Sequence, residues 1–265
     1  MIVTAGIMQV LKYYSNFFIP IFCAVFLCLG CEDLPRDNIL DPKNPSSRTD
    51  QIVVIEAFVN TNEDLPPYNF WMLDALKTLK DKYTDKVIIC EYHRTIGMYD
   101  DPFAIRESDF IQDSYTEEKG VPDVFLNGSV VNIRGSSGPN NSLNRLEMAL
   151  QDLLNKNSFF EIEPEISRNG NSLKINAVIA RLGSKSAGNI FLRAVVKEYI
   201  DATYHRNVVR DIVQSTTIER INPGDKETLT FETVELGSGG PYSLVLIVSS
   251  SENMENYQAR EVLVP

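Results

Sequence analysis

The sequence has little of what metal binding and nucleophilic catalysis require. It contains two histidines, His93 and His205, and four cysteines among 265 residues. It has no Gly-x-Ser-x-Gly elbow, no P-loop, no His-Glu-x-x-His motif and no dinucleotide-binding glycine fingerprint. Because the two histidines lie in different predicted domains, we expect no metal site, no catalytic triad and no cofactor.

Positive charge is also scarce. Lys and Arg together number 25 against 36 Asp and Glu, which gives a net charge of -11 at pH 7. An acidic surface repels phosphate backbones, so we expect no nucleic-acid partner. Adhesion to anionic lipid through charge alone is disfavoured for the same reason. The chain is 43% hydrophobic and 23% charged, which is typical of a soluble body with one large or two modest domains.

A long apolar run occurs in the N-terminal leader. Residues 17–30 read FFIPIFCAVFLCLG and follow Lys12. The run has the length of a signal-peptide core and is too short for a comfortable membrane-spanning helix. It predicts a lipoprotein signal peptide over residues 1–30. A polar tether rich in Pro, Asn and Asp is expected over residues 31–50.

Gly30-Cys31 at the end of that run resembles a bacterial lipobox, in which the cysteine thiol is acylated before cleavage. The resemblance implies lipidation of Cys31 and attachment to a membrane through the acyl chains. Cys28 departs from the pattern, because it stands where leucine is usual. An ordinary cleaved signal and an uncleaved anchor are the alternatives. Glu32 and Asp33 resemble a surface-export signal, so the expected location is the outer membrane, with a periplasmic or surface-facing body.

Cysteine is nearly absent from the predicted mature body. Cys23 and Cys28 leave with the leader and Cys31 is acylated, so Cys90 is the remaining thiol. No intrachain disulfide and no Cys-x-x-Cys pair can then form. Cys90 lies in the apolar run KVIICEY, and we expect a buried, inert thiol. An intermolecular disulfide is the alternative.

Residues 51–157 have the pattern of an α/β domain. QIVVIEAFV at 51–59 and KVIICEY at 86–92 are apolar runs of strand length. The segment between them has helical periodicity, and Pro66-Pro67 is placed to open that helix. The sequence therefore predicts a β-α-β unit.

Further turn and helix signals extend this unit. A second helix is expected over residues 103–115. Asn127-Gly128 predicts a hairpin between two short strands, and Ser142 is expected to cap a final helix. His93 is expected near the end of the second strand, in a loop or capping role, and Asp100-Asp101 in a solvated loop. The predicted order is β-α-β-α-β-β-α.

This order resembles that of thioredoxin. Val121-Pro122, directly before the hairpin, resembles the cis-proline that faces the thioredoxin active site. Glu56, Phe58 and Pro67 match the active-site region of outer-membrane thioredoxin-like lipoproteins. In that family a Cys-x-x-Cys-Pro motif opens the first helix.

The two cysteine positions of the motif fall on Glu63 and Pro66, so the dithiol is absent. Thiol–disulfide exchange needs a thiolate and a second thiol, so classical oxidoreductase activity is disfavoured. The substrate groove of the fold can persist without the dithiol, and we expect a binding face there. It consists of Asn60, Asn62, Glu63, Pro66, Pro67, Tyr68, Val121 and Pro122.

Residues 158–265 contain short strand-like runs separated by turns, which predicts an all-β immunoglobulin-like sandwich. In the run SLKINAVIA, the residues Leu173, Ile175, Ala177 and Ile179 alternate and are expected to share one face.

The stretch VVKEYIDATYHRNVVRDIV resembles the C-terminal half of the same lipoprotein family. The matching positions are Glu198, His205 and Arg210. They are expected to form either a small polar site or a hydrogen-bonded cluster that fixes one loop.

The functional hypothesis is a non-enzymatic, redox-inactive envelope lipoprotein. Its thioredoxin-like domain, with a degenerate active site, would bind or scaffold envelope proteins or peptides. One alternative is a redox protein that uses Cys90 or a partner's thiols. The other is a structural outer-membrane component whose C-terminal sandwich docks to another protein.

Overall fold

The structure, a computed structural model, describes residues 37–38, 40–41, 43–200 and 207–265. The predicted leader, with Cys31, lies outside the described residues, and so does His205. The described residues from Leu40 to Pro265 belong to one compact unit. Within the described ranges it is mostly β-sheet, with three α-helices.

The first part of this unit contains both strands and helices. They are a 3-10 helix (Pro45–Ser47), β1 (Thr49–Asp50), β2 (Val53–Val59), α1 (Tyr68–Lys82), β3 (Val87–His93), α2 (Arg106–Tyr115), β4 (Asp123–Leu126), β5 (Val131–Arg134) and α3 (Pro139–Leu153).

The later elements are all strands. They are β6 (Asn157–Ser158), β7 (Phe160–Asn169), β8 (Ser172–Arg181), β9 (Ile190–Glu198), β10 (Val208–Gln214), β11 (Lys226–Thr230), β12 (Val234–Glu235), β13 (Tyr242–Ser250) and β14 (Asn256–Leu263).

Several predicted elements are confirmed. The apolar runs form β2 and β3, and α1 begins directly after Pro66-Pro67. At the Asn127-Gly128 turn both residues have positive φ, 51° and 68°, and the turn joins β4 to its antiparallel partner β5. Asn and Gly tolerate this left-handed backbone better than other residues do, which explains why the pair marks the turn.

The predicted cap of the last helix is wrong. Helix α3 begins at Pro139, with Gly138 at the cap position, and Ser142 is buried inside the helix. Proline suits the first helical position because its φ is already fixed near the helical value. The Ser142 hydroxyl instead lies 2.6 Å from the Ser136 hydroxyl. The second helix also starts later than expected, at Arg106.

One eight-stranded sheet contains strands from both segments that were expected to be domains. Its order is β14-β13-β9-β10-β3-β2-β4-β5. Strand β3 runs parallel to β2 on one side and to β10 on the other, where Val208 pairs with Glu91. A second sheet contains β7, β8, β11 and β12.

Three hydrophobic cores pack against these sheets. In the first, Val53, Ile55 and the other odd-numbered side chains of β2 face α1 and α3. The second lies between the two sheets, where β8 contributes its alternating residues. Leu173, Ile175, Ala177 and Ile179 are all buried there, as predicted.

The third core joins the two halves of the large sheet. It contains Val54 and Phe58 of β2, Cys90 of β3, Val195 of β9 and Val245 of β13. At its centre the side chains of Glu56 (β2) and Arg193 (β9) form a fully buried ion pair with 2.7 Å between Oε1 and Nη2.

Three further side chains complete the coordination of the Glu56 carboxylate. Tyr92 donates to Oε1 at 2.9 Å, and Tyr115 and Asn256 donate to Oε2 at 2.6 and 3.2 Å. Burial raises the pKa of both tyrosines well above the ordinary value of 10.0, so both phenols remain protonated donors. The carboxylate therefore has partners on β3, α2, β9 and β14.

We expect Glu56→Gln to lower the free energy of unfolding by about 3–5 kcal/mol, because it leaves the Arg193 charge buried without a counter-charge. Urea denaturation measures the change. Lys82→Met removes a surface ion pair with Glu147, in which the lysine side chain is 55% exposed, and should shift the midpoint little because water screens that pair. Equal shifts for the two variants would contradict the role assigned to the buried pair.

Candidate functional site

The predicted binding face lies at one end of the large sheet. Strands β2 and β4 are antiparallel neighbours in which Phe58 pairs with Asp123. The loop that follows β2 and the Val121-Pro122 segment that precedes β4 therefore meet at the same end, where α1 also begins. The Val121–Pro122 peptide bond is cis, as the family resemblance implied.

Asn60 holds this loop in place through hydrogen bonds of its side chain and backbone. It is fully buried, and its Nδ2 donates to the carbonyl oxygens of Arg94 (2.7 Å) and Tyr99 (2.9 Å). Its Oδ1 accepts from the backbone N–H of Asn62 at 2.8 Å. The backbone N–H of Asn60 donates to Asn69 Oδ1 on α1 at 3.3 Å. Asn60 thus links the loop, the segment after β3 and the first turn of α1.

The outer part of the face is apolar with one carboxylate. Glu63, Pro66 and Pro67 are exposed, and Tyr68 is 45% exposed with its ring 5.6 Å from that of Trp71. Three other predicted members of the face are less exposed to solvent: Asn62 and Val121 are partly buried and Pro122 is buried. Asn62 Nδ2 donates to the Asp100 carbonyl at 3.0 Å.

Asp101 fixes the same loop, and the prediction of a solvated position for it is wrong. Its side chain is buried, with Oδ2 2.9 Å from His93 Nδ1. The same oxygen accepts from the Thr61 backbone N–H (2.7 Å) and hydroxyl (3.0 Å), and Oδ1 accepts from the Phe103 N–H (2.9 Å). Four donors replace the water that an aspartate in a loop otherwise needs. Only the neighbouring Asp100 is exposed.

His93 is the last residue of β3, as expected for the end of that strand, and is fully buried. Burial lowers the pKa of His93, but the carboxylates of Asp101 and Glu91 raise it by more, so the net pKa lies above 6.5. Burial raises the pKa of Asp101, but the interaction with His93 and the hydrogen bonds from the Thr61 and Phe103 N–H groups together lower it to below the ordinary 3.8. The pair therefore favours the charged form of both groups.

A second polar network, which the sequence does not predict, links the segment after β3 to α2 and to the residues on either side of Val121-Pro122. Arg94 donates to Asp109 and Gln112, both on α2. Gln112 Nε2 in turn donates to the Gly120 carbonyl at 3.2 Å and to Asp123 Oδ2 at 3.1 Å. The spacing of Asp109 and Gln112 on one helical face was the available signal. This network connects α2 to both ends of the Val121-Pro122 segment.

The other predicted cluster forms an ion pair beside a cavity of about 440 Å³. Arg210 Nε donates to Glu198 Oε2 at 2.6 Å, and the Gly240 N–H donates to Oε1 at 2.8 Å. The Arg210 guanidinium lies 5.1 Å from the centre of the Phe103 ring. These contacts join β9, β10 and the loop before β13; His205 lies outside the described residues.

No metal-binding geometry is found in the part of the chain that the structure describes. It contains no group of three His, Cys, Asp or Glu side chains placed to hold a metal ion. Its single free thiol, Cys90, is fully buried, and burial raises the pKa of Cys90 to about 12. None of the described helices is both long and apolar enough to cross a membrane.

The His93–Asp101 pair predicts a specific pH dependence of stability. Because folding raises the pKa of His93, its protonation stabilises the folded state fully below pH 6.5, and this contribution is lost as pH rises through the higher folded pKa. The difference in unfolding free energy between the wild type and Asp101→Asn should be larger at pH 6 than at pH 8. Denaturation across this pH range measures it.

Asp100→Asn is the matched control, since it makes the same change at the exposed neighbouring position. Its effect should be small at both pH values. A difference for Asp101→Asn that stays constant from pH 6 to pH 8 would show that His93 does not titrate against this carboxylate.

Comparison with known proteins gives a fold and no activity. No family model and no curated protein matches the sequence. Among solved structures, HBP35 of Porphyromonas gingivalis is similar with a TM-score of 0.53 and 15% identity, over 82% of this chain and 76% of that one. A domain of the outer membrane lipoprotein Omp28 from Porphyromonas gingivalis gives a TM-score of 0.31 at 16% identity, over 40% of this chain and 96% of that one. The chain therefore shares a sheet-rich fold with HBP35.

Proposed function

We propose that this chain is a non-enzymatic, redox-inactive envelope lipoprotein that binds an extended peptide or protein segment. The binding face is formed by Glu63, Pro66, Pro67, Tyr68 and Val121. The observation that carries the proposal is the construction of the loop over residues 60–67. Hydrogen bonds fix it to the segment after β3 and to α1, while its outer side presents Pro66, Pro67 and Tyr68 beside the exposed carboxylates of Glu63 and Asp64, and no sulfur.

The order of elements supports a thioredoxin-like assignment for the first part of the unit. Strands β2 to β5 and helices α1 to α3 follow one another as β-α-β-α-β-β-α, with β2 between β3 and β4 in the sheet. The packing of the second sheet on β9 and β13 supports an immunoglobulin-like sandwich for the later strands. Both assignments are part of the proposal.

Two observations argue against redox chemistry. The helix entrance carries Glu63 and Pro66 where a dithiol would be needed, so neither position supplies a thiolate. Cys90 is completely buried, and with a pKa of about 12 it remains a thiol at neutral pH. A redox mechanism through Cys90 would require opening the third hydrophobic core.

The exposed groups suit recognition of an extended chain. Tyr68 offers a large ring with few rotatable bonds, the kind of side chain that anchors many interfaces. Pro66 and Pro67 add apolar surface whose backbone is already restricted. Because hydrogen bonds inside the protein hold this loop, little conformational entropy is lost when a ligand binds.

The lipoprotein part of the proposal rests on the sequence. The apolar run over residues 17–30 and the Gly30-Cys31 pair support export and acylation, and the polar tether supports a body held away from the lipid. The partners would then be envelope proteins or peptides at the outer membrane.

The face can be tested with peptides selected against the purified protein from a displayed library of extended sequences. Fluorescence anisotropy then measures the affinity of a selected peptide. Tyr68→Ala should weaken binding about tenfold or more, as expected when a central aromatic anchor is removed.

Met148→Ala is the control, because Met148 is an exposed apolar residue on α3 that lies outside the proposed face. It should leave the affinity unchanged. Selected peptides that bind Tyr68→Ala as tightly as the wild type would refute the proposed face.

A further inference from the structure

A groove of about 790 Å³ opens where the edges of the two sheets face each other. One wall is β7, from Phe160 to Pro164, and the other is β14, from Gln258 to Glu261. Apolar side chains at its base include Ile88 and Ile162, both nearly buried. The groove shares no lining residue with the proposed peptide-binding face.

The outer edge of β14 is open for pairing towards the end of the strand, whereas at its start Gln51 Nε2 donates to the Asn256 and Tyr257 carbonyls. Strand β14 is last in the sheet order, and no described strand pairs with its outer edge. The Val264 N–H donates to the Tyr242 carbonyl of β13 at 3.0 Å. Since backbone groups alternate in direction along an antiparallel strand, the N–H and C=O of Glu261 and Leu263 point away from β13.

The opposite wall is less suited to pairing and strongly acidic. Strand β7 is also an edge strand, but Pro164 interrupts its row of donors. Its exposed side chains at the groove are Glu161 and Glu163. β7 therefore contributes charge, and β14 contributes the free backbone groups.

The unpaired charge of the groove is mainly negative. Asp50, Asp85, Glu161 and Glu163 all line it, are exposed, and form no ion pair with any described residue. A single exposed cation, Arg260, faces them.

The two other ionic groups of the groove are already engaged. Glu261 binds Lys197 at 2.8 Å, and Lys80 donates to the Thr84 and Val87 carbonyls at 2.8 and 2.5 Å. Even with Lys197 counted, the five carboxylates that line the groove outnumber its three cations, so the groove is net negative and favours a cationic ligand.

We propose that this groove takes an extended, positively charged peptide segment as an added strand on β14. The main-chain groups of Glu261, and of Leu263 beyond the end of the groove, supply hydrogen bonds, the apolar base receives alternate side chains, and the carboxylates select basic residues on the other side. A second copy of this chain is a poor occupant, because each copy carries a net charge of -11.

The probe is a fluorescein-labelled, strand-length peptide of alternating lysine and valine, titrated into the purified full-length protein. We expect saturable binding that falls about tenfold in Glu161→Gln/Glu163→Gln. Glu227→Gln/Glu232→Gln is the matched control, because it removes two exposed carboxylates on the far side of β8. It should bind like the wild type.

A second peptide separates strand addition from charge attraction alone. It has the same sequence with alternate backbone nitrogens methylated, which keeps the charge and removes the donors. Binding should fall about tenfold or more for this peptide. Equal binding of the two peptides, or equal loss in both double variants, would overturn the proposal. A wild-type dimer that dissociates in Glu161→Gln/Glu163→Gln and binds no peptide would overturn it as well.

These outcomes are independent of Tyr68. Tyr68→Ala should bind the lysine-valine peptide like the wild type. The two experiments therefore distinguish a failure of the groove proposal from a failure of the proposed binding face.

Discussion

The buried ion pair between Glu56 and Arg193 is the interaction on which the rest of the fold depends. It connects β2 to β9, which lie 137 positions apart in the chain. Removing either charge from water costs several kcal/mol unless the other charge is in place. Within the described chain, the Nε and Nη1 atoms of Arg193 have no hydrogen-bond partner, so its charge relies on Glu56. The third core is therefore stable only when both halves of the large sheet are assembled.

Strand β2 connects the buried ion pair to the proposed binding face. It carries Glu56 in its middle and ends beside Asn60, whose side chain bonds the segment after β3. Asp101 adds bonds to Thr61 and His93. The exposed residues of the loop rest on groups that are almost all satisfied inside the protein. Hydrogen bonds inside the protein therefore hold this face in place.

The sequence predicts best those features that depend on neighbouring residues. The strands at 51–59 and 86–92 and the Asn127-Gly128 turn follow from local apolar runs and from backbone preferences. Serine favours the cap position, so the sequence predicts a cap at Ser142, but Pro139 starts the helix one turn earlier.

The features that were missed depend on contacts between distant segments. Asp101 looks like a loop residue until the fold brings His93 and Thr61 to it. No local pattern marks Arg193 as the partner of Glu56, since an arginine in a strand ordinarily faces solvent. The free edge of β14 likewise becomes visible only when the strand order is known.

Native-state hydrogen exchange tests the central claim most directly. If the buried pair makes one cooperative unit of both halves, the slowest amides of β3 and β13 should exchange with the same free energy of opening, and Glu56→Gln should lower both by the same amount. A loss of protection in β3 with unchanged protection in β13 would show that the two halves are stable independently, and would contradict this account.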